Sequence, residues 1–398
     1  SICIYYHGGA NFSILLRKNS YIRGEIMKMA KFITEDDIEQ AILETLEDEP
    51  FYYDIIVCDS DPAKRDDLDD GTGRSSKREC VLPKIMLESL KRLNPNVSVD
   101  KLKDIVQEYK KDYTGTDIVT TNYNLYQMIR NNKKIDVIKN GKKDFEFIRF
   151  IDFDNVENNT FTAVSQMWIQ GRYNYRRPDV LLFVNGLPLV FIELKNSVVK
   201  VQEAYDKNLQ DYKRDIPNLF AFNQICVLSN GIETRVGAFN AYYEHFFEWL
   251  KIYDEKEKVD RVAIKENGLS IQRLIYGLFD KINLIDYIEN FILFENQKVK
   301  IIAKNHQYIG VNNLMASVYN RKELNGKLGV FWHTQGSGKS YSMIMFARKV
   351  KRKVTGNFTF LIITDRDDLD EQIWKNFFRT EVIGEKEECR PNIERQIV

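Results

Sequence analysis

Two carboxylates and a lysine stand at the ends of two neighbouring apolar segments. Asp179 begins the segment DVLLFV, and Glu193 and Lys195 end the segment LPLVFIELK. Two carboxylates that converge from adjacent strands can bind Mg²⁺, and a lysine beside them can help to activate water and offset phosphate charge. The pattern therefore predicts a metal-dependent phosphodiesterase site in which Asp179, Glu193 and Lys195 are catalytic and the two carboxylates bind the metal. A structural salt bridge on a half-buried strand remains the alternative.

The geometry of this site depends on the hairpin that joins the two segments. The letters NGLP, residues 185–188, predict a turn between two antiparallel strands. Strand alternation places Glu193 and Lys195 on one face. If the turn closed symmetrically at its centre, Asp179 would lie opposite Leu194 and point away from Glu193. We therefore predict an odd-length loop or a β-bulge in this hairpin.

A second group of candidate residues lies in the letters HTQGSGKS, residues 333–340, called here the phosphate loop. We expect a strand over 328–332 before it and a helix after it, so that backbone N–H groups can bind phosphate. Lys339 is then expected to reach the β- and γ-phosphates of ATP, and Ser340 to bind Mg²⁺. The generic motif fails at its first glycine, because residue 333 is histidine. Upstream, Gln307 is a candidate for adenine recognition, with a surface amide as the alternative.

Composition limits the classes of protein that can position these groups. A chain of 398 residues is long enough for two domains. Its 58 basic and 58 acidic residues balance, so that a nucleic-acid surface would have to be local. The five cysteines are scattered without a C-x-x-C pair, which predicts reduced thiols and no zinc site. No apolar run reaches transmembrane length, and we expect a cytoplasmic protein without a membrane partner.

Periodicity predicts a mixed α/β domain around the carboxylates. The letters TEDDIEQAILETLEDE have capping-box spacing between Thr34 and Asp37 and predict a helix. Residues 59–79 are so hydrophilic that we expect a mobile loop that does not pack. After about residue 145 the period becomes that of strands, and we expect flanking helices over 202–212 and 239–252.

Six segments, in order, resemble the restriction (R) subunit of type I restriction-modification enzymes: LKRLNP, RRPDVLLFVNGLPLVFIELKNS, DIPNLFAFNQICVLSNG, HQY, FWHTQGSGKS and ITDRDDLDEQI. The resemblance covers most of the chain after about residue 34. It implies an α/β protein with a PD-(D/E)xK nuclease domain, a mixed sheet flanked by helices, followed by part of a RecA-like helicase or translocase domain. It also implies ATP-dependent translocation of double-stranded DNA, coupled to Mg²⁺-dependent and non-specific cleavage far from the recognition site. The implied partners are methyltransferase (M) and specificity (S) subunits.

The resemblance assigns roles to individual residues. Asp179, Glu193 and Lys195 would carry cleavage, and Asp179, Glu193 and Ser340 would bind Mg²⁺. The residues implied in ATP binding are Gln307, Thr334, Gln335, Gly336, Ser337, Gly338, Lys339 and Ser340. His333 becomes a family variant of the loop. No Walker B acid follows before Val398, because Asp365 belongs to a different motif, and we expect no useful ATP turnover by these residues alone.

The sequence departs from the family pattern after the E-x-K strand. Such nucleases commonly carry Q-x-x-x-Y, but here Asn208 precedes Tyr212 and Gln210 is out of register. Tyr212 is expected either beside the site or in the core. Glu39, on the first helix, could be an upstream acidic residue of the site, but we interpret it as part of a solvated helix face.

Four segments and three functional readings follow. We expect residues 1–27 to be an extension before a natural start at Met27 or Met29, 28–258 the nuclease domain, 259–298 a helical linker, and 299–398 the first RecA-like motor domain. Two alternatives to the R subunit stay open. One is a helicase–nuclease of DNA repair or phage defence without a methyltransferase partner, and the other is a non-catalytic scaffold that binds ATP and DNA.

Overall fold

The computed structural model describes residues 33–139, 142–268, 270–334, 336–356, 359–363 and 367–382. The expected extension 1–27, Gln335 and Asp365 lie outside these residues. The helices are α1 (Glu35–Glu47), α2 (Pro83–Leu93), α3 (Val99–Tyr109), α4 (Ile118–Asn131), α5 (Val201–Glu203), α6 (Gln210–Asp215), α7 (Pro217–Phe220), α8 (Arg261–Glu266), α9 (Ser270–Leu274), α10 (Lys281–Asn290), α11 (Asn305–Tyr319), α12 (Lys339–Lys353) and α13 (Asp367–Arg379). None of the described helices has the length and apolarity needed to cross a membrane.

A mixed β-sheet forms the centre of the fold. The strands are β1 (Asp54–Val57), β2 (Lys133–Lys139), β3 (Lys142–Ile148), β4 (Phe161–Ser165), β5 (Ile169–Gln170), β6 (Tyr175–Arg176), β7 (Val180–Val184), β8 (Leu187–Leu194), β9 (Ile225–Ser229), β10 (Thr234–Gly237), β11 (Phe247–Glu248), β12 (Ile292–Glu295) and β13 (Val299–Ile302). Seven of them form one sheet in the order β1-β4-β7-β8-β9-β10-β11. The pairs β1–β4 and β8–β9 are parallel, and the other four pairs are antiparallel. The predicted mixed α/β class is therefore confirmed.

The β7–β8 hairpin closes through a two-residue turn. Val184 pairs with Leu187, so that Asn185 and Gly186 form the turn, with φ angles of 50° and 79°. Positive φ at both positions is typical of a type I′ turn, for which Asn-Gly is a preferred sequence. The predicted turn is confirmed, although it uses only the first half of NGLP, and Leu187 already belongs to β8.

The predicted β-bulge is also present in this hairpin. Phe183 pairs with Pro188, whereas Leu182 pairs with Val190, so that Leu189 is the extra residue of β8. Each pairing beyond this point is displaced by one residue, and Val180 lies opposite Ile192. Extending the same register by one residue brings the next pair, Asp179 and Glu193, to the same level.

Helix α1 begins where the capping box predicts. The Thr34 hydroxyl accepts a hydrogen bond from the Asp37 N–H at 3.1 Å, and the Asp37 carboxylate accepts one from the Thr34 N–H at 2.9 Å. Ile38 and Ile42 are buried and pack the helix against the central sheet. One face of α1 therefore lies over the end of β8 where the candidate carboxylates stand.

One predicted feature of the nuclease region is wrong in part, and another is wrong. The hydrophilic segment 59–79 is exposed over residues 59–69, as expected, but its second half packs, because its buried charges neutralise one another: the Asp70 carboxylate contacts Arg74 at 2.8 Å and Lys77 at 2.7 Å. The segment 239–252 is not a helix. It contains a short 3₁₀ turn and β11, which pairs with β10. Its aromatic residues Phe246 and Trp249 reach the core from backbone that is not helical.

The strand expected over 328–332 does not form. Val330 and Trp332 are 92% and 77% exposed, and residues 359–363 are likewise irregular and exposed. A strand needs a neighbour that satisfies its backbone hydrogen bonds and covers its side chains. Within the described ranges, no strand pairs with either segment.

A single apolar core connects the regions before and after the predicted linker. It contains residues from Ile38 to Phe377. The segment 259–298 is largely helical, as expected, and its residues Leu274, Leu278 and Ile288 are buried in the same core. The boundaries between the expected domains stay predictions, but this packing connects the seven-stranded sheet to α11 and α12.

Gly186 is the position at which the hairpin is most sensitive to substitution. Its carbonyl accepts a hydrogen bond from the Leu82 N–H at 2.9 Å, and a Cβ atom would lie 2.6 Å from the Leu82 carbonyl oxygen. Gly115 has a comparable positive φ of 94° with nothing within 4 Å. We expect Gly186→Ala to lower the free energy of unfolding by at least about 1 kcal/mol more than Gly115→Ala in a denaturant titration, because only Gly186→Ala adds a clash. Equal losses would contradict the observed packing.

Candidate functional site

Asp179 and Glu193 meet where β7 begins and β8 ends, in the middle of the seven-stranded sheet. Asp179 directly precedes β7, and its Oδ2 accepts a hydrogen bond from the Leu194 N–H at 2.7 Å. Glu193 is only 1% exposed. Its Oε1 accepts a hydrogen bond from Lys195 Nζ at 3.1 Å, whereas its Oε2 is buried without a hydrogen-bond partner. A buried carboxylate oxygen without a partner is costly, and it is a natural ligand for a cation.

Lys195 completes this carboxylate site, which we define as Asp179, Glu193 and Lys195. Its ammonium group also donates to the Leu194 carbonyl oxygen at 2.6 Å and lies 3.6 Å from the Glu35 carboxylate. Burial would by itself lower the pKa of Lys195, but the charges of Glu193 and Glu35 outweigh burial and raise it. Lys195 is therefore a fixed positive charge, which can stabilise an anion but is a poor proton acceptor.

Burial disfavours the ionised carboxylates. It raises the pKa of Asp179 from 3.8 to about 6, even though the Leu194 N–H and Lys195 oppose the shift. Burial also raises the pKa of Glu193 well above its ordinary value, and the charge of Asp179 adds to the effect. A divalent cation would relieve both penalties. Among the described residues no group of three or more His, Cys, Asp or Glu side chains is arranged to hold a metal. The site offers two carboxylates, and Mg²⁺ is commonly held by one or two.

Glu39 belongs to this neighbourhood, and our interpretation of it as a solvated residue is wrong. It accepts a hydrogen bond from the Gln166 amide, and the Gln166 N–H bonds to the Asp179 carbonyl oxygen at 2.9 Å. Burial raises the pKa of Glu39 to about 7, and the charge of Asp179 contributes. The sequence analysis missed Gln166 and Glu35. The one available signal was the spacing of Glu35 and Glu39, which places both on the same face of α1.

Tyr212 lies beside the carboxylates and also packs in the core. Its ring contacts Phe191 edge to face at 5.3 Å, and its hydroxyl donates to the Arg177 carbonyl oxygen at 2.9 Å. Burial raises its pKa strongly, and the nearby Glu193 charge adds to this shift. Asn208 lies half-buried in a π-helical segment, Ala204–Leu209, and the Gln210 amide bonds to the Tyr205 carbonyl oxygen. Neither amide contacts the carboxylate site in a described hydrogen bond.

The phosphate loop leads into the N-terminus of α12. Gly338 has φ 87° and precedes Lys339, the first residue of the helix, while Gly336 has φ 78°. Lys339 Nζ donates to the His333 carbonyl oxygen at 2.9 Å, and Ser340 lies in the first helical turn. Thr334 is exposed and Ser337 is half-buried. The predicted loop-to-helix junction is present, with the free N–H groups that bind phosphate at a helix N-terminus.

Gln307 supports this loop from α11. It is only 3% exposed, so the alternative of a surface amide is wrong. Its Oε1 accepts a hydrogen bond from the Lys304 N–H at 2.8 Å, and its Nε2 donates to the Gly338 carbonyl oxygen at 2.9 Å. Both ends of the amide are therefore bonded to backbone. The geometry makes Gln307 a residue that positions the loop, and adenine recognition would require it to exchange these bonds.

Comparisons with known proteins give two family matches. Residues 32–245 match the model described as type I restriction enzyme R protein N terminus, which is more than half of the chain. Residues 306–397 match the model described as SWI2/SNF2 ATPase. The first match contains the carboxylate site, and the second contains Gln307 and the phosphate loop.

Individual relatives agree with these matches. The chain is 35% identical over 360 residues to the type I restriction enzyme HindI endonuclease subunit of Haemophilus influenzae, an alignment that covers 87% of this chain and 33% of the relative. It is 30% identical over 351 residues to the putative type I restriction enzyme MjaIXP endonuclease subunit of Methanocaldococcus jannaschii, covering 81% of this chain and 32% of the relative. The chain thus spans about a third of the length of these relatives.

The buried carboxylates predict an unusual dependence of stability on pH. A carboxylate with a raised native pKa binds more protons in the folded state, so its contribution to stability is present below the unfolded pKa and is lost as the pH rises. For Asp179 this loss runs from about pH 4 to about pH 6, and for Glu193 it extends to higher pH. Glu193→Gln should therefore raise the free energy of unfolding at pH 8 in EDTA by on the order of 1 kcal/mol, and much less at pH 4.

Denaturant titrations at both pH values measure this difference. The control is Glu47→Gln, which removes an exposed glutamate of α1 and should change little at either pH. Destabilisation of Glu193→Gln at pH 8 would instead mean that the Glu193–Lys195 pair is a net stabilising salt bridge.

Proposed function

The chain belongs to the family of type I restriction enzyme R proteins, and on this premise we propose that its carboxylate site is the Mg²⁺-dependent, PD-(D/E)xK-type centre of a nuclease that cuts double-stranded DNA. The observation that carries the proposal is the buried and unpartnered Oε2 of Glu193, level with Asp179 and beside Lys195. A buried acceptor without a hydrogen-bond partner is costly, and a bound cation would satisfy it.

Each residue has a distinct part in the proposed reaction. Asp179 and Glu193 would hold the metal ion, which when bound would polarise the phosphodiester and lower the pKa of an attacking water. Lys195, held by Glu193 and Glu35, would stabilise the negative charge that develops on the phosphate. Glu39 and Gln166 would fix the backbone of Asp179 and add an acidic group to the rim of the site.

The structural salt bridge is the competing explanation, and the electrostatics argue against it. A stabilising ion pair lowers the pKa of its carboxylate, whereas the pKa of Glu193 is raised despite the contact with Lys195. The Lys195 side chain is also shared among Glu193, Glu35 and a backbone carbonyl. For Glu193, burial and the charge of Asp179 thus outweigh the contact with Lys195, and a further cation would oppose both effects.

We further propose that the phosphate loop binds ATP and that its hydrolysis drives DNA translocation. Lys339 would leave the His333 carbonyl to contact the β- and γ-phosphates, and Ser340 would contribute to Mg²⁺ binding. Gln307, at the back of Gly338, would keep the loop in register. The proposed partners are double-stranded DNA and, in a larger complex, methyltransferase and specificity subunits. These fit the names of the relatives, which are subunits of type I restriction enzymes.

Two reciprocal groups of variants, four in all, test this proposal in the complete enzyme that contains the chain. Asp179→Asn, Glu193→Gln and Lys195→Gln should each lower Mg²⁺-dependent DNA cleavage by at least about a hundredfold and leave ATP hydrolysis in place. Lys339→Ala should abolish ATP hydrolysis and, as a consequence, cleavage. The measurements are plasmid cleavage and phosphate release on the same preparations. Retained cleavage by Glu193→Gln would refute the nuclease site, and wild-type ATPase activity in Lys339→Ala would refute the role of the loop.

A further inference from the structure

A separate cavity of about 390 Å³ lies between α4, β12, the C-terminal half of α12 and the residues after α13. Its lining shares no residue with the carboxylate site or the phosphate loop. Arg348, on its wall, follows Lys339 by nine residues on the same helix, which is about 14 Å along the axis. The cavity is therefore a different location from the proposed nucleotide site, although α12 reaches both.

Two arginine side chains that line this cavity, Arg130 and Arg348, form no described ion pair. Arg348 is 9% exposed, and its Nη1 donates to the Ile292 carbonyl oxygen at 3.0 Å. The Nε of Arg130 is buried and has no hydrogen-bond partner. In the part of the chain that the structure describes, no carboxylate oxygen lies within 4.0 Å of either guanidinium group. Lys351 and Arg352 extend the basic wall. We call the whole cavity the arginine cavity.

The nearby acidic residues are already engaged. Glu289 contacts Lys353 at 2.8 Å and Arg352 at 3.6 Å. Glu381 accepts hydrogen bonds from the Tyr123 hydroxyl at 2.5 Å and from the Gln297 amide at 2.9 Å. Glu289 and Glu381 therefore do not neutralise the positive charge of Arg130 and Arg348. Burial, joined by the charges of Arg348 and Arg352, lowers the pKa of Arg130, so the empty cavity carries an electrostatic penalty.

An ordinary structural role explains only part of this wall. Lys351, Arg352 and Lys353 occupy the last turn of α12, where cations complement the helix dipole. Arg348 lies one turn earlier and is buried, and Arg130 belongs to a different helix. Arg348 bonds to the Ile292 carbonyl oxygen and Arg130 lies over the Tyr126 ring at 5.9 Å, but neither contact neutralises the charge, and a ligand anion would.

The remaining walls indicate what else the ligand carries. The half-buried ring of Tyr123 forms an aromatic side, backed by the buried rings of Tyr126 and Phe294, and the Tyr123 and Phe294 rings lie 5.2 Å apart. A water molecule occupies roughly 30 Å³, and a phosphate ion is only a few times larger. A lone phosphate would therefore fill only part of the 390 Å³ cavity. The lining carries Arg130, Arg348, Lys351 and Arg352 against Glu381, a surplus of three positive charges, most of which the dianion of a phosphate monoester would neutralise at neutral pH.

We propose that the arginine cavity binds a nucleoside monophosphate group, either as a free nucleotide or at the phosphorylated end of a nucleic-acid strand. Arg130 and Arg348 hold the phosphate, and the aromatic side holds the base. This site goes beyond the proposed nuclease and ATP sites and uses none of their residues. Its failure would leave both of them untouched.

The test is isothermal titration of AMP into the full chain at pH 7.5, in a Lys339→Ala background that removes binding at the phosphate loop. We expect saturable binding that Arg130→Gln and Arg348→Gln each weaken by about tenfold or more, because each removes a charge-assisted hydrogen bond. Arg261→Gln removes the same charge from an exposed side chain and should leave the affinity unchanged. Adenosine should not bind, and inorganic phosphate should bind more weakly than AMP.

A further arm identifies the source of the phosphate. Tighter binding of a 5′-phosphorylated oligonucleotide than of AMP would indicate a strand end, and equal or weaker binding would indicate a free nucleotide. If Arg348→Gln does not fold, Arg130→Gln and Lys351→Gln carry the test. No saturable binding of AMP at millimolar concentration, or undiminished binding by Arg130→Gln, would overturn the proposal.

Discussion

One extra residue in β8 controls the geometry of the carboxylate site. Because Leu189 is bulged out of the β7–β8 pairing, Asp179 faces Glu193 instead of Ile192. All residues of β7 and β8 are buried, so a slip of the register by one residue would disturb the packing on both faces of the hairpin and would also separate the two carboxylates. The Asn185–Gly186 turn, fixed against the start of α2, holds this register from the other end of the hairpin.

The carboxylate site and the arginine cavity have opposite charges and the same physical logic. In the first, buried acids exceed the single lysine that contacts them, and in the second, buried guanidinium groups exceed the acids within reach. Each arrangement brings like charges together in a buried place, and each would be stabilised by binding a ligand of opposite charge. Helix α12 extends from the phosphate loop to the arginine cavity, and the shared core packs it against the region that carries the nuclease candidate.

Local signals in the sequence predicted much of this arrangement. The Thr34–Asp37 capping box, the Asn-Gly turn and the glycines of the phosphate loop each depend on backbone geometry that neighbouring residues determine. The need for a bulge followed from side-chain alternation alone. The burial of Glu39 and of the second half of the segment 59–79 could not be predicted in the same way, because it depends on partners distant in sequence: Gln166 for Glu39, and the Trp168 carbonyl oxygen, which accepts a hydrogen bond from Arg74, for the segment. The apolar letters of 328–332 predicted a strand, but strands form only beside other strands.

The most direct test of this account is the binding of Mn²⁺, as a spectroscopic substitute for Mg²⁺, followed by electron paramagnetic resonance of the full chain without nucleotide. The account predicts saturable binding at pH 8 that is lost in both Asp179→Asn and Glu193→Gln and retained in Glu47→Gln. Binding should weaken markedly at pH 5, below the raised pKa of about 6 of Asp179. Equal binding by the wild type and both site variants, or no binding by the wild type, would contradict the claim that the bulged hairpin builds a metal site.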